Sequence, residues 1–187
     1  MKNIYVQDSF FKPEIFEKVQ KEVVSTELSA RYKDHSNNIY QRNYHYVELD
    51  SNVLLCKIIK KNIKKYFGFN NIKNMVTNYF LSFPNTPAIP HKDDCEYNCM
   101  IYVVGETIMN NGTGFYELEN DNAVLHTHIG FKPNRAVFFD SRIIHSPLQF
   151  AGNSTPRYLI TNFINKKDEL NFYRHSLLWW YDYSRLF

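Results

Sequence analysis

The chain has 187 residues, 44% hydrophobic and 17% aromatic, with fifteen Phe, fourteen Tyr and two Trp. This is enough for one domain with a substantial core, in which large rings can fill space and line a pocket with few residues. A net charge of +3 is too mild to call for a nucleic-acid partner, no run is long enough to span a bilayer, and the N-terminus lacks the apolar segment of a secretion signal.

Cys56, Cys95 and Cys99 are odd in number and form no zinc pattern, so buried free thiols in a reducing, cytoplasmic setting are expected. The chain contains no repeat, low-complexity tract or Gly-rich linker. A single domain over 1–187 is therefore expected, with 1–70 as a buttress, 73–164 as the core and 165–187 as a C-terminal extension.

Residues 1–10 read as a short strand or arm. Ile15, Phe16, Val19 and Val23 recur near helical spacing, and Pro13 with Glu14 suits a helix start, so a helix is predicted over 13–24. Residues 30–38 are polar and read as a loop, and 39–49 is an aromatic-rich strand. A second helix is predicted over 52–67, capped by Asp50 or Ser51. Leu55, Ile58, Ile59, Ile63 and Tyr66 share one of its faces. Lys57, Lys60, Lys61, Lys64 and Lys65 cover the other, which reads as a solvated face rather than a nucleic-acid or membrane stripe.

From residue 73 the pattern turns to strands, near 73–83, 88–92, 97–104, 113–118, 123–130, 135–140, 146–150 and 156–164. Turn signals such as Glu119-Asn120-Asp121-Asn122 and Lys132-Pro133-Asn134 separate them. About eight short strands predict a mainly β fold with flanking α-helices, a sandwich or jelly roll. Residues 166–181 read as a closing helix.

Ile89-Pro90-His91-Lys92-Asp93 places an imidazole and a carboxylate at i, i+2, on one face of an extended segment. His145 stands in Arg142-Ile143-Ile144-His145-Ser146-Pro147, after the apolar run Ala136-Val137-Phe138-Phe139. Two imidazoles and one carboxylate with open positions make the facial triad of a non-haem Fe(II) oxygenase, because three ligands leave three sites for cosubstrate and oxygen. The His-x-Asp pair alone is a weak signal. Its position between strands, the distal His145 and Arg157 opening the following strand sharpen it.

As a set, this order resembles the 2-oxoglutarate/Fe(II)-dependent oxygenases, in particular their prolyl 4-hydroxylase-like branch, over about residues 74–164. The resemblance implies a double-stranded β-helix barrel whose mouth holds Fe(II) on His91, Asp93 and His145. It implies that Arg157 pairs with the far carboxylate of 2-oxoglutarate, with Tyr102 and Thr161 as hydroxyl partners; an arginine fork suits a carboxylate. The implied activity is hydroxylation of a peptidyl, amino-acid or other small-molecule substrate, releasing succinate and CO2. An Asp at the second ligand position argues against halogenation.

Two features depart from the branch: Arg157 lies twelve residues after His145, and Leu159 occupies the place of a serine found in several relatives. Asp94 is an alternative carboxylate, which alternation sends to the opposite face, and His126 with His128 is a competing pair expected on the barrel wall. The segment 39–47 and the loop 105–114 are candidates for a substrate-facing lid. A cupin-like metal-binding barrel of other activity, or a catalytically silent binding module on the same scaffold, are the alternative readings. The oligomeric state is not legible.

Overall fold

The computed structural model describes residues 3–28, 44–83, 90–108, 111–149 and 155–166. Along the chain these form β1 (Ile4–Gln7), α1 (Pro13–Ser25), β2 (Tyr44–Glu48), α2 (Leu54–Phe67), β3 (Asn74–Ser82) and β4 (Tyr97–Val104). There follow β5 (Asn111–Glu119), β6 (Asn122–Gly130), β7 (Ala136–Asp140), β8 (Ile144–Gln149) and β9 (Arg157–Asn165).

A large sheet has the order β1-β7-β4-β9-β3-β2 and a small sheet the order β6-β5-β8, with antiparallel pairing throughout. His91 forms a single bridge to His145 on the free side of β8, extending the small sheet by one rung. From β3 onward the chain therefore alternates between sheets: β3 large, His91 small, β4 large, β5 and β6 small, β7 large, β8 small, β9 large. That alternation produces the jelly-roll, double-stranded β-helix architecture.

Period-two alternation divides the core. On β4, Cys99, Ile101 and Val103 face the helices, where they join Phe10, Val19, Val23, Ile59, Ile63, Ile160 and Ile164. Tyr102 faces the other way, into the barrel, with Phe115, Phe131, Val137, Phe139 and Leu159. Burying a side chain such as Ile59 stabilises the fold by roughly 1.5–3 kcal/mol. The helical expectation for α2 holds in its main lines: Leu55, Cys56, Ile59 and Ile63 are buried, Lys57, Lys61, Lys64 and Lys65 are exposed, and Lys60 is half-buried at the edge between the two faces. Gly68 closes the helix in the left-handed region (φ 66°), which glycine adopts without a Cβ penalty.

Several expectations need correction. The cap of α2 is Val53, with no side-chain cap hydrogen bond. Asp50 instead accepts from the backbone N–H of Asn52 in the preceding turn, so its carboxylate supports that turn. The strand predicted over 88–92 reduces to the bridge at His91, with 88 and 89 outside the described residues. His145 lies within β8, which starts two residues before the predicted 146. Residues 1–70 do more than pack on one face: β1 and β2 complete the two edges of the large sheet. The predicted loop 30–38, the start of the aromatic strand (39–43) and the helix from 167 onward lie outside the described residues.

Two turn signals act as their chemistry requires. Asn120 and Asp121 take positive φ (49° and 65°) in the two-residue hairpin between β5 and β6, where short polar residues tolerate that backbone. Asn134 does so too (φ 63°), and its amide accepts from Phe11 N–H and donates to Phe11 C=O, tying the turn to the N-terminal arm. Among the described residues, no helix is long and apolar enough to cross a membrane.

Candidate metal centre

The bridge between His91 and His145 is reciprocal: each backbone N–H donates to the other residue's C=O at 2.9 Å. Their rings consequently lie side by side, with centroids 4.7 Å apart. Two residues beyond His91, Asp93 N–H donates to Ser141 C=O at 3.1 Å, which turns the carboxylate toward the same point. One ligand atom from each of His91, Asp93 and His145 lies within 4.8 Å of the others, a spacing that one ion can bridge. The His145 Nε2 to Asp93 Oδ2 distance is 3.1 Å, and that from His91 Nε2 to Asp93 Oδ1 is 3.8 Å.

The surroundings prepare these groups for a cation. His145 Nδ1 lies 2.9 Å from the carbonyl of Ile143, a partner for Nδ1–H that leaves Nε2 directed at Asp93, where a bound metal would take the place of the Nε2 proton. Phe139 meets the His145 ring edge-on at 4.8 Å and Phe115 lies 6.4 Å away, walling it from water. Burial by itself pushes the Asp93 carboxyl up. The hydrogen bond and charge of His145, then the charge of His91 and the Asn98 amide, outweigh it and hold the group at about 2. The ionised carboxylate is the form that ligates. Asp94 is exposed, as alternation requires.

Arg157 opens β9 inside the barrel and is 1% exposed. Its Nη1 donates to Gly112 C=O at 2.5 Å and to Asn111 Oδ1 at 3.1 Å, so the start of β5 aims the guanidinium. Tyr102 is fully buried, stacked on Phe131 at 4.9 Å, and its hydroxyl donates to Thr113 Oγ1 at 2.8 Å. Thr161 pairs with Asn78 across β3 and β9, and Arg157 pairs with Ser82. Thr161 Oγ1, Asn78 Oδ1 and Ser82 Oγ are buried and have no hydrogen-bond partner among the described residues. Strand parity puts all three on the barrel side, the side of Phe80 and Leu159.

Sequence reasoning passed over Asn78, Ser82 and Asn98. Period two gives the parity of Asn78 and Ser82, but the β3–β9 register that sets them beside Thr161 and Arg157 is a tertiary fact. Asn98 donates to Asp93 Oδ2 at 2.6 Å. His126 is exposed and His128 half-buried, and neither joins the group of His91, Asp93 and His145. His128 nevertheless lies near Arg157, whose charge joins burial in pushing its pKa down.

No family model and no curated protein matches the sequence. Solved structures do match the fold. A prolyl-4-hydroxylase from Pseudomonas putida aligns over 89% of this chain and 94% of its own, with a TM-score of 0.60 and 12% identity. HygX from Streptomyces hygroscopicus, solved with nickel and 2-oxoglutarate bound, aligns over 88% and 83%, with a TM-score of 0.61 and 5% identity. The non-heme alpha-ketoglutarate-dependent epimerase SnoN from nogalamycin biosynthesis aligns over 86% and 76%, with a TM-score of 0.58 and 13% identity. At these identities the likeness is one of fold, and it favours no single branch.

Proposed function

We propose that this protein is a 2-oxoglutarate-dependent oxygenase that hydroxylates a peptidyl, amino-acid or other small-molecule substrate, with Fe(II) held by His91, Asp93 and His145. The observation that carries this reading is the convergence of those ligand atoms within 4.8 Å inside a jelly roll of this topology. Two nitrogens and one carboxylate oxygen on one side of the ion suit a non-haem iron with open positions. Such a bound ion would let dioxygen oxidise 2-oxoglutarate and substrate together, one oxygen atom going to succinate as CO2 is lost and the other to the hydroxylated substrate.

The chain's own residues bind, orient and exclude water. Arg157, aimed by Asn111 and Gly112, offers a fork for the far carboxylate of the cosubstrate. The unpartnered oxygens of Thr161, Asn78 and Ser82 suit an oxygen-rich ligand, since buried polar atoms left unpaired are costly and a bound ligand or water relieves them. Tyr102 donates to Thr113, so for the cosubstrate role assigned to it the hydroxyl must redirect that donation. Phe115 and Phe139 keep the inner face of the site dry.

The test is an anaerobic Fe(II) and 2-oxoglutarate titration of the purified protein, followed by succinate release over a panel of peptides, amino acids and small metabolites. Binding of one metal and one 2-oxoglutarate per chain is expected. A chain that binds metal but no 2-oxoglutarate overturns the reading in favour of another kind of metal-binding barrel.

A further inference from the structure

Asp93 has two oxygens, and they are treated unequally. Oδ2 accepts from the Asn98 amide at 2.6 Å and lies 3.1 Å from His145 Nε2. Oδ1 lies 3.8 Å from His91 Nε2, a separation that an ion with bonds of roughly 2.0–2.2 Å can bridge. Asn98 is itself held: it sits on β4, is 3% exposed, and its Oδ1 lies 3.3 Å from the Cys95 thiol, whose proton it shares with the Tyr97 carbonyl at 3.3 Å. An amide whose oxygen receives a donor must turn its NH2 the other way, here onto Asp93. Cys95 is fixed in turn by its 5% exposure and by Ser141, whose hydroxyl donates to its carbonyl. Ser141 also accepts, through its own carbonyl, the backbone N–H of Asp93. The thiol, the amide and the carboxylate therefore form one oriented chain.

We infer that Asn98, oriented by Cys95, is a positioning residue that holds Asp93 through Oδ2 and so fixes the direction in which the carboxylate meets the metal. The inference rests on the proposed metal-binding role of His91, Asp93 and His145. Its consequence is coordination chemistry: a carboxylate held in one orientation binds through one oxygen and leaves the neighbouring position open for cosubstrate. Released from the tether, the same carboxylate can swing to bind through both oxygens and occupy that position. Partners of this kind, one shell out from the ion, are commonly worth about 10- to 100-fold in metal affinity.

The experiment compares the parent with Asn98→Ala, Asn98→Asp, Cys95→Ala and Cys95→Ser, using Co(II) as the metal probe and then 2-oxoglutarate on the Co(II)-loaded protein. Thermal unfolding of each metal-free variant separates misfolding from mispositioning. Asn98→Asp keeps the size of the side chain and replaces the donor with a like charge, so it is expected to lose about 10- to 100-fold or more in Co(II) affinity. Asn98→Ala is expected to lose affinity, to change the visible absorption of the bound Co(II), and to bind 2-oxoglutarate more weakly even when metal-saturated. Cys95→Ala should follow Asn98→Ala in part, and Cys95→Ser, which keeps a donor, should recover most of the loss.

A parent that binds no Co(II) overturns the metal centre itself. A parent that binds Co(II), with folded Asn98→Ala and Asn98→Asp matching it in affinity, absorption and 2-oxoglutarate binding, overturns the positioning role alone.

Discussion

Replacing Arg157 is the most discriminating change, because it separates an oxygenase from other barrels that carry a metal. Arg157→Ala removes the fork expected to meet the far carboxylate of 2-oxoglutarate. A charge-assisted, bidentate pair in a site this buried is worth on the order of 2–4 kcal/mol. At about 1.4 kcal/mol per decade, the affinity for 2-oxoglutarate should fall roughly 30- to 1000-fold. The same change strips Gly112 C=O and Asn111 Oδ1 of a donor, costing on the order of 1–3 kcal/mol of stability, so the folded fraction must be checked by urea unfolding. Arg157→Lys keeps the charge without the fork and should recover part of the binding. The assay is calorimetric titration of 2-oxoglutarate into metal-loaded protein under anaerobic conditions. Folded Arg157→Ala that binds 2-oxoglutarate as tightly as the parent refutes the cosubstrate assignment even with metal in place.

Other expected outcomes test separate parts of the molecule. Asp93→Ala and His145→Ala should each lower metal affinity by well over about 100-fold, read by competition with a chromophoric chelator, because each removes a ligand outright. Charge reversal of Lys60, Lys61, Lys64 and Lys65 to Glu should leave turnover intact; Lys64 and Lys65 close α2 favourably to its dipole, so a stability loss of about 1 kcal/mol in urea is expected instead. Tyr79→Phe breaks the 2.6 Å hydrogen bond to Glu22 that ties β3 to α1 and should cost about 1–2 kcal/mol in the same measurement.

Asp8 is held down to about 2 by its hydrogen bond to Arg135, which outweighs burial, with Lys132 adding to the effect. Its folded pKa lies below that of a free aspartate, so its stabilisation is complete above about 4 and fades as pH falls toward 2. With solvent screening this is about 1 kcal/mol, and Asp8→Asn should remove that part of the acid limb.

The sequence made the mainly β pattern, both helices and the three residues that converge at the candidate metal centre legible, because each depends on local pattern: period two, period 3.6, or a His-x-Asp spacing. It misplaced the start of α2 because Asp50 has two local uses for a carboxylate, a helix cap or a turn, and composition does not choose between them. It overextended the strand around His91 because a single bridge and a full strand share the same residue types. Asn98 and Ser82 escaped notice for a different reason. A neutral polar residue in a strand looks ordinary until the register reveals that it faces Asp93 or stands beside Arg157.

The reciprocal hydrogen bonds between His91 and His145 join two residues 54 positions apart in the chain into one rung of the small sheet. The last rung of that sheet and the histidine pair are therefore the same object, and neither can form without the other. Folding thus pays the entropy of gathering the two imidazoles before any ion arrives. A bound ion would act as a rivet at the seam between β8 and the segment leading into β4, and should most strongly slow amide exchange at His91 and His145. The same seam, opened by heat or denaturant, would shed its ion at the moment the barrel gapes, making metal release a local gauge of barrel closure.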